Sequence, residues 1–195
     1  MEYRLDKNHL LSILQEWNRF LKRKVHIIAC GGTAMTLTGA KSSTKDVDFM
    51  LPVEREYDYL IKQLKSLGYK NITGAGWKND KDIFIFDLFR GKFIHTTELT
   101  HSPLDEGMHT VVIEYSHLFI GVLNDYDLIS SKLMRGSRVD FEDCIKLVSF
   151  HREEINIARL VKHFYELISY DISEERLKPN MDHFLELLKE EGLYD

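Results

Sequence analysis

Apolar positions recur every three to four residues over 8–21, where Leu10, Leu11, Leu14, Trp17, Phe20 and Leu21 share one face and Asn8 stands at an N-cap position. This pattern predicts an amphipathic helix. Residues 25–29 (VHIIA) form a short unbroken apolar run, the signature of a buried strand. Gly31-Gly32 then interrupts the pattern, and 33–38 reads as the start of a short helix stopped near Gly39. Residues 46–51 (DVDFML) alternate and end before Pro52, which predicts a second strand. Helical spacing returns over 54–67, with Tyr57, Leu60, Ile61, Leu64 and Leu67 on one face and Gly68 as the stop. Residues 82–93 (DIFIFDLFRGKF) predict a third strand that turns near Arg90-Gly91, and 110–115 and 118–123 two more.

The pattern changes at 124. Segments 125–134, 140–150, 155–170 and 180–190 all carry helical spacing, and Pro179-Asn180 marks a break between the last two. The chain is therefore expected to be α+β, with an α/β core over 1–123 and a helical region over 124–195 packed on it. No internal repeat or low-complexity linker interrupts it. The apolar stripe Ile157, Leu160, Val161, Phe164, Leu167 and Ile168 suits either core packing or an interface with a second copy or another protein.

Composition narrows the functional classes. At 195 residues the chain is long enough for one well-cored domain with an appendage. Hydrophobic residues at 44% and charged residues at 29% exclude a disordered or fibrous chain. A net charge of −5 argues against coating nucleic acid by bulk electrostatics. It leaves room for local basic groups such as Lys22, Arg23 and Lys24, which also fit a solvated helix end. Two cysteines make neither a disulfide framework nor a metal-ligand pattern, and Cys30, at the end of an apolar run, reads as a buried thiol. The first twenty residues are amphipathic and charged, and no stretch has membrane-spanning length, so the expected location is the cytoplasm.

Three pieces of sequence carry chemistry. Cys30-Gly31-Gly32-Thr33 lies between a strand and a helix, where glycine lets the backbone approach a phosphate and the helix start offers free N–H groups. On its own it also fits a tight turn. Asp46 and Asp48 lie two apart on a strand and so share a face. Adjacent carboxylates repel unless a cation neutralises them, although aspartates at a strand end also cap turns. Asp87 sits inside IFIFDLF, where an acid needs a partner, either a shared cation or a salt bridge to Arg90 or Lys92. Exposed loop positions are expected for His95, His101 and His109. Trp77 either stacks on a base or packs at the sheet edge.

In combination these pieces resemble the DNA polymerase beta-like nucleotidyltransferase superfamily. Its motif is a glycine pair with Ser or Thr, then apolar-acid-apolar-acid-apolar, then a third acid on another strand. Within it, CGGTAMTLTGAKSSTKDVDF at 30–49 is similar to the AbiEii-type bacterial group, which includes toxins of toxin–antitoxin systems. Leu128-Ile129-Ser130-Ser131-Lys132-Leu133, followed by Arg138 and Asp140-Phe141-Glu142-Asp143, is similar to that group's helical motif.

The resemblance implies a nucleotidyltransferase-fold mixed sheet flanked by helices, with a C-terminal helical segment. It implies transfer of a nucleoside monophosphate from an NTP to an acceptor hydroxyl on tRNA, protein or a small molecule, with a cognate antitoxin as a partner. Mg2+ or Mn2+ would be held by Asp46, Asp48 and Asp87. Gly31, Gly32, Thr33, Lys41 and Lys132 would contact the nucleotide, and Asp143 would act as a base or orient the acceptor. From the residues alone, Lys132 also fits a surface position and Asp140 an N-cap. Members often carry an arginine four residues before the first acid of the pair. Ser42 stands there, with Lys41 beside it as the substitute, and an ammonium does not reproduce a guanidinium fork. That departure opens an alternative, a catalytically silent nucleotide-binding or partner-binding module of the same fold.

Overall fold

The computed structural model describes residues 3–81 and 83–194. The chain forms two compact units, Met1–Leu123 and Asn124–Asp195.

The first unit opens with α1 (Lys7–Phe20), whose start is set by Asp6 rather than Asn8, because the Asp6 carboxylate accepts from the His9 N–H. Leu10, Leu14 and Trp17 form its buried stripe. The run 25–29 is β1 (Val25–Ala29), and α2 (Gly31–Thr38) begins at the glycine pair and ends at Gly39, a left-handed C-cap with φ 95°. Strand β2 is Val47–Leu51, so Asp46 lies on the bend that leads into it. Helix α3 is Glu54–Ser66.

The expected third strand is shorter than its apolar run. It is β5 (Phe86–Arg90), because the pairing of both neighbouring strands starts at Phe86, with Val47 on one side and Trp77 on the other. Ile83 and Ile85 are left exposed, and Asp82 lies outside the described residues. Two short strands that no sequence pattern marked complete this edge: β3 (Lys70–Asn71) and β4 (Gly76–Lys78). Trp77 is buried in β4, so it packs in the sheet. A small hairpin follows, β6 (Phe93–Ile94) with β7 (Thr97–Glu98). Then come β8 (His109–Glu114), which takes His109 out of the expected loop, and β9 (Leu118–Leu123).

The main sheet runs β3-β4-β5-β2-β1-β9-β8. It is mixed: β1–β9 and β2–β5 are parallel, while β1–β2, β4–β5, β3–β4 and β8–β9 are antiparallel. The central strands β1 and β2 are buried on nearly every position, as strands covered on both faces must be. Trp17 meets Phe86 with ring centroids 4.9 Å apart, joining α1 to the sheet.

Among the described residues the second unit holds four helices: α4 (Asp125–Arg135), α5 (Arg138–Phe150), α6 (Ile157–Ile168) and α7 (Glu174–Glu190). Asn124 caps α4 and Asn156 caps α6 through their side chains. Helix α5 starts earlier than its apolar pattern. Ser137 is the N-cap, and Asp140 sits three residues on, completing a reciprocal capping box instead of serving as the cap itself. Helix α7 also starts early and runs through Pro179, so the expected break is absent. The proline withholds one N–H near the first turns, where the exposed Glu175 would have been the acceptor's residue. Leu160, Phe164, Leu167 and Ile168 are buried, with α6 packed on α4 and α7, which assigns the stripe to the core. No helix among the described residues is long and apolar enough to cross a membrane.

Candidate functional site

The glycine turn and the D-x-D segment are stitched together by one threonine. The buried Thr33 hydroxyl donates to the Asp46 carbonyl at 3.0 Å and accepts from the Asp48 N–H at 2.9 Å. Thr44 donates to the same Asp46 carbonyl at 2.8 Å, and the Cys30 N–H donates to the Asp48 carbonyl at 3.1 Å. The start of α2 and the start of β2 are thus fixed to each other by three hydrogen bonds, and Thr44 braces the bend before β2 with a fourth.

The glycines are required by what they face. Gly31 has φ +56°, and a Cβ there would lie 2.5 Å from Oδ2 of Asp48. A Cβ at Gly32 would lie 2.7 Å from Oγ1 of Thr44. The turn therefore lies directly against the Asp48 carboxylate, and no larger residue fits between them.

Asp48 and Asp87 are register partners on the parallel strands β2 and β5, which places both side chains on one face of the sheet. Asp48 is only 7% exposed and Asp87 is half-buried. Burial pushes the Asp87 carboxyl above the ordinary carboxylate range, the nearby His95 opposes that shift, and the Asp46 charge adds to it. Asp46, on the bend before β2, is exposed but within electrostatic reach of Asp87. The three acids lie at the same end of two neighbouring strands. They are not drawn together tightly. The group of ligand-type side chains among the described residues with all ligand atoms within 4.8 Å of one another is elsewhere, in the second unit.

An open cleft of about 430 Å³ lies over Asp87, lined by Thr73, Gly74, Ala75, Asp87, Phe89 and His95. His95 occupies the two-residue turn of the β6–β7 hairpin with φ 53°, a left-handed conformation uncommon outside glycine, though histidine adopts it more readily than most. Its ring packs edge-on against Phe89, with centroids 4.7 Å apart. His95 is exposed in a turn, as expected, but its place at the cleft carries no sequence signal, and neither do Thr73 and Thr44. The hairpin strands are two residues each, too short to leave a periodic signal. Gly76, register partner of Asp87, has a reason of its own, since a Cβ there would come within 3.1 Å of Oδ1 of Asp87.

Lys41 follows the end of α2, its N–H bonded to the Met35 carbonyl at 3.0 Å, and is half-buried. In the second unit, Lys132 and Asp143 are each other's partners. The Lys132 ammonium is 2% exposed and lies 2.8 Å from Asp143 and 3.8 Å from Asp140. Asp140 also takes a short contact from Arg135 and a hydrogen bond from Ser137. Lys132 is thus not a surface residue. A phosphate contact by Lys132, or proton transfer by Asp143, requires this buried pair to open. The Cys144 thiol beside it is fully buried, and desolvation holds it far above its usual range.

Comparison with known proteins identifies a family. A family model described as "Nucleotidyltransferase of unknown function (DUF6036)" matches residues 8–190. No curated protein matches the chain. Among solved structures, the chain is similar to an antigenic nucleotidyltransferase-like protein from Paracoccidioides brasiliensis, at 13% identity over 92% of this chain and 95% of that one, with a TM-score of 0.49. It is also similar to MenT4, a nucleotidyltransferase toxin from Mycobacterium tuberculosis, at 13% identity over 87% of this chain and 67% of that one, with a TM-score of 0.48. The family model's match includes the glycine turn, Asp46, Asp48 and Asp87, and continues to 190, so the chain belongs to the nucleotidyltransferase family DUF6036.

Proposed function

We propose that the chain is a metal-dependent nucleotidyltransferase that moves a nucleoside monophosphate from an NTP to an acceptor hydroxyl and releases pyrophosphate. The observation that supports this reading best is the register that sets Asp48 beside Asp87, with Gly31 against the Asp48 carboxylate. Two desolvated carboxylates side by side repel unless a cation neutralises them, and an all-oxygen donor set suits Mg2+ or Mn2+. Asp46 is the third donor proposed for that ion. When bound, such an ion offsets triphosphate charge and lowers the pKa of an attacking hydroxyl.

The remaining tasks fall to the chain itself. Gly31 and Gly32 open α2, so their backbone N–H groups and the helix dipole favour a phosphate at that turn. Thr33 acts through Asp46 and Asp48: its one hydroxyl proton is committed to the Asp46 carbonyl, and it holds both acids against the turn. Lys41 is proposed to meet the outer charge of the triphosphate. The cleft over Asp87 has an aromatic wall, Phe89, and polar groups from His95 and Thr73, and we assign it to the acceptor.

The test is a transfer assay with α-labelled ATP, GTP, CTP and UTP, with Mg2+ or Mn2+, and with tRNA, protein and small hydroxyl acceptors. Wild-type protein is expected to label one acceptor class, and Asp46→Asn with Asp48→Asn is expected to abolish labelling. Wild-type rates in that double variant reject the reading. Tight NTP binding with no transfer to any acceptor assigns the silent module instead, the reading that Ser42 in place of an arginine favours.

A further inference from the structure

We infer that Asp125, His151 and Glu154 form a second, separate divalent-cation site in the helical unit, selective for a zinc-class ion. Each of the three offers one ligand atom, and these atoms all lie within 4.8 Å of one another. The elements hold them there for simple reasons. Asp125 is the first residue of α4. His151 is the C-cap of α5, where its N–H still bonds to the Leu147 carbonyl. The chain then turns back on itself, because the N–H groups of Glu154 and Ile155 both donate to the His151 carbonyl, at 2.9 and 3.0 Å. That turn brings Glu154 round to the side of His151 that faces α4.

The His151 ring nitrogen Nδ1 lies 2.7 Å from Oδ2 of Asp125. Both side chains are mostly buried, at 17% and 20% exposure, while Glu154 reaches in from the surface. Two carboxylates around one imidazole leave the group net negative whether the ring is neutral or protonated. An imidazole–carboxylate pair alone would be balanced by one acid. The second acid is surplus to an ion pair, and it matches a dication.

The donor chemistry selects the ion. One imidazole nitrogen and two carboxylate oxygens suit Zn2+, Co2+ or Ni2+ better than Mg2+ or Ca2+, which favour all-oxygen sets. Bond lengths near 2.0–2.1 Å in tetrahedral geometry need ligand atoms roughly 3.3 Å apart. The 2.7 Å contact between His151 and Asp125 therefore has to open by well under one ångström, within the reach of side-chain rotation. The fourth position is left to water. A bound ion would tie the start of α4 to the turn after α5, within one unit, and so would stabilise the helical region.

Because Asp46, Asp48 and Asp87 are themselves proposed to hold a dication, the test starts from a protein in which all three are Asn. Co2+ is titrated into that variant and followed by its visible ligand-field absorption, with Zn2+ calorimetry in parallel. The expected result is one saturable equivalent of Co2+, displaced by Zn2+, with a rise in Tm when Zn2+ is added. His151→Ala should abolish the band. Glu154→Gln, a change at an exposed side chain that leaves the fold alone, should weaken affinity by about tenfold or more. No saturable Co2+ in the starting variant overturns the proposal. So does affinity that is unchanged by Glu154→Gln, and that second readout decides the matter even if His151→Ala fails to fold. Nucleotidyl transfer enters none of these readouts, so the two proposals fail separately.

Discussion

Gly31 shows how much one residue decides. It combines a left-handed backbone, φ +56°, with a neighbour that leaves no room for a side chain, the Asp48 carboxylate. Three glycine-to-alanine substitutions separate these effects. Gly74→Ala has nothing within 4 Å and no left-handed backbone, so it should change stability by less than about 0.5 kcal/mol. Gly91→Ala, at φ +70° in open space, should lose about 1 kcal/mol through the backbone alone. Gly31→Ala should lose more than Gly91→Ala, by roughly another 1–3 kcal/mol of overpacking against Asp48. Urea unfolding of the three variants measures this, and equal losses at 31 and 91 would contradict the close packing of the turn on Asp48. The need for glycine at 31 was legible as a pattern, two glycines between a strand and a helix. What it faces was not, since Asp48 arrives from another strand. His95 is an exposed turn residue, as its sequence context suggests, but its place beside Asp87 was hidden for a related reason: it depends on a two-residue turn whose strands are too short to signal themselves.

At the scale of elements, capping and pairing set the boundaries that apolar periodicity leaves open. The capping box of Ser137 and Asp140 starts α5 two residues before its periodic pattern, and strand partners trim the 82–93 run to five residues. Strands β3 and β4 left no trace because they are short and lie at the sheet edge. Helices α4 and α5 are joined by the buried Lys132–Asp143 pair. Asp143→Ala leaves the Lys132 ammonium buried beside a single carboxylate, Asp140, that Arg135 already engages. We expect a loss of about 3–5 kcal/mol in chemical denaturation. Replacing both partners with apolar residues, Lys132→Met with Asp143→Leu, should cost far less, because no charge is then stranded. A double variant as unstable as Asp143→Ala would show that the pair is not what holds these helices.

At the scale of the whole molecule, the order of elements carried most of the information. Mixed α/β followed by all-helical was visible in the change of period at 124, and the family match spans both parts. The relation among distant acids was only implied by a resemblance, because nothing in Asp46, Asp48 or Asp87 alone specifies strand neighbours. The sheet order supplies that relation by placing β5 directly beside β2 in parallel. The most direct measurement is a crystal grown with Mn2+ and a non-hydrolysable NTP, read by the anomalous scattering of manganese. A peak between the carboxylates of Asp48 and Asp87, with the triphosphate at the Gly31-Gly32 turn, is the result expected. A triphosphate bound away from that turn, or a manganese that avoids both carboxylates, would contradict the account.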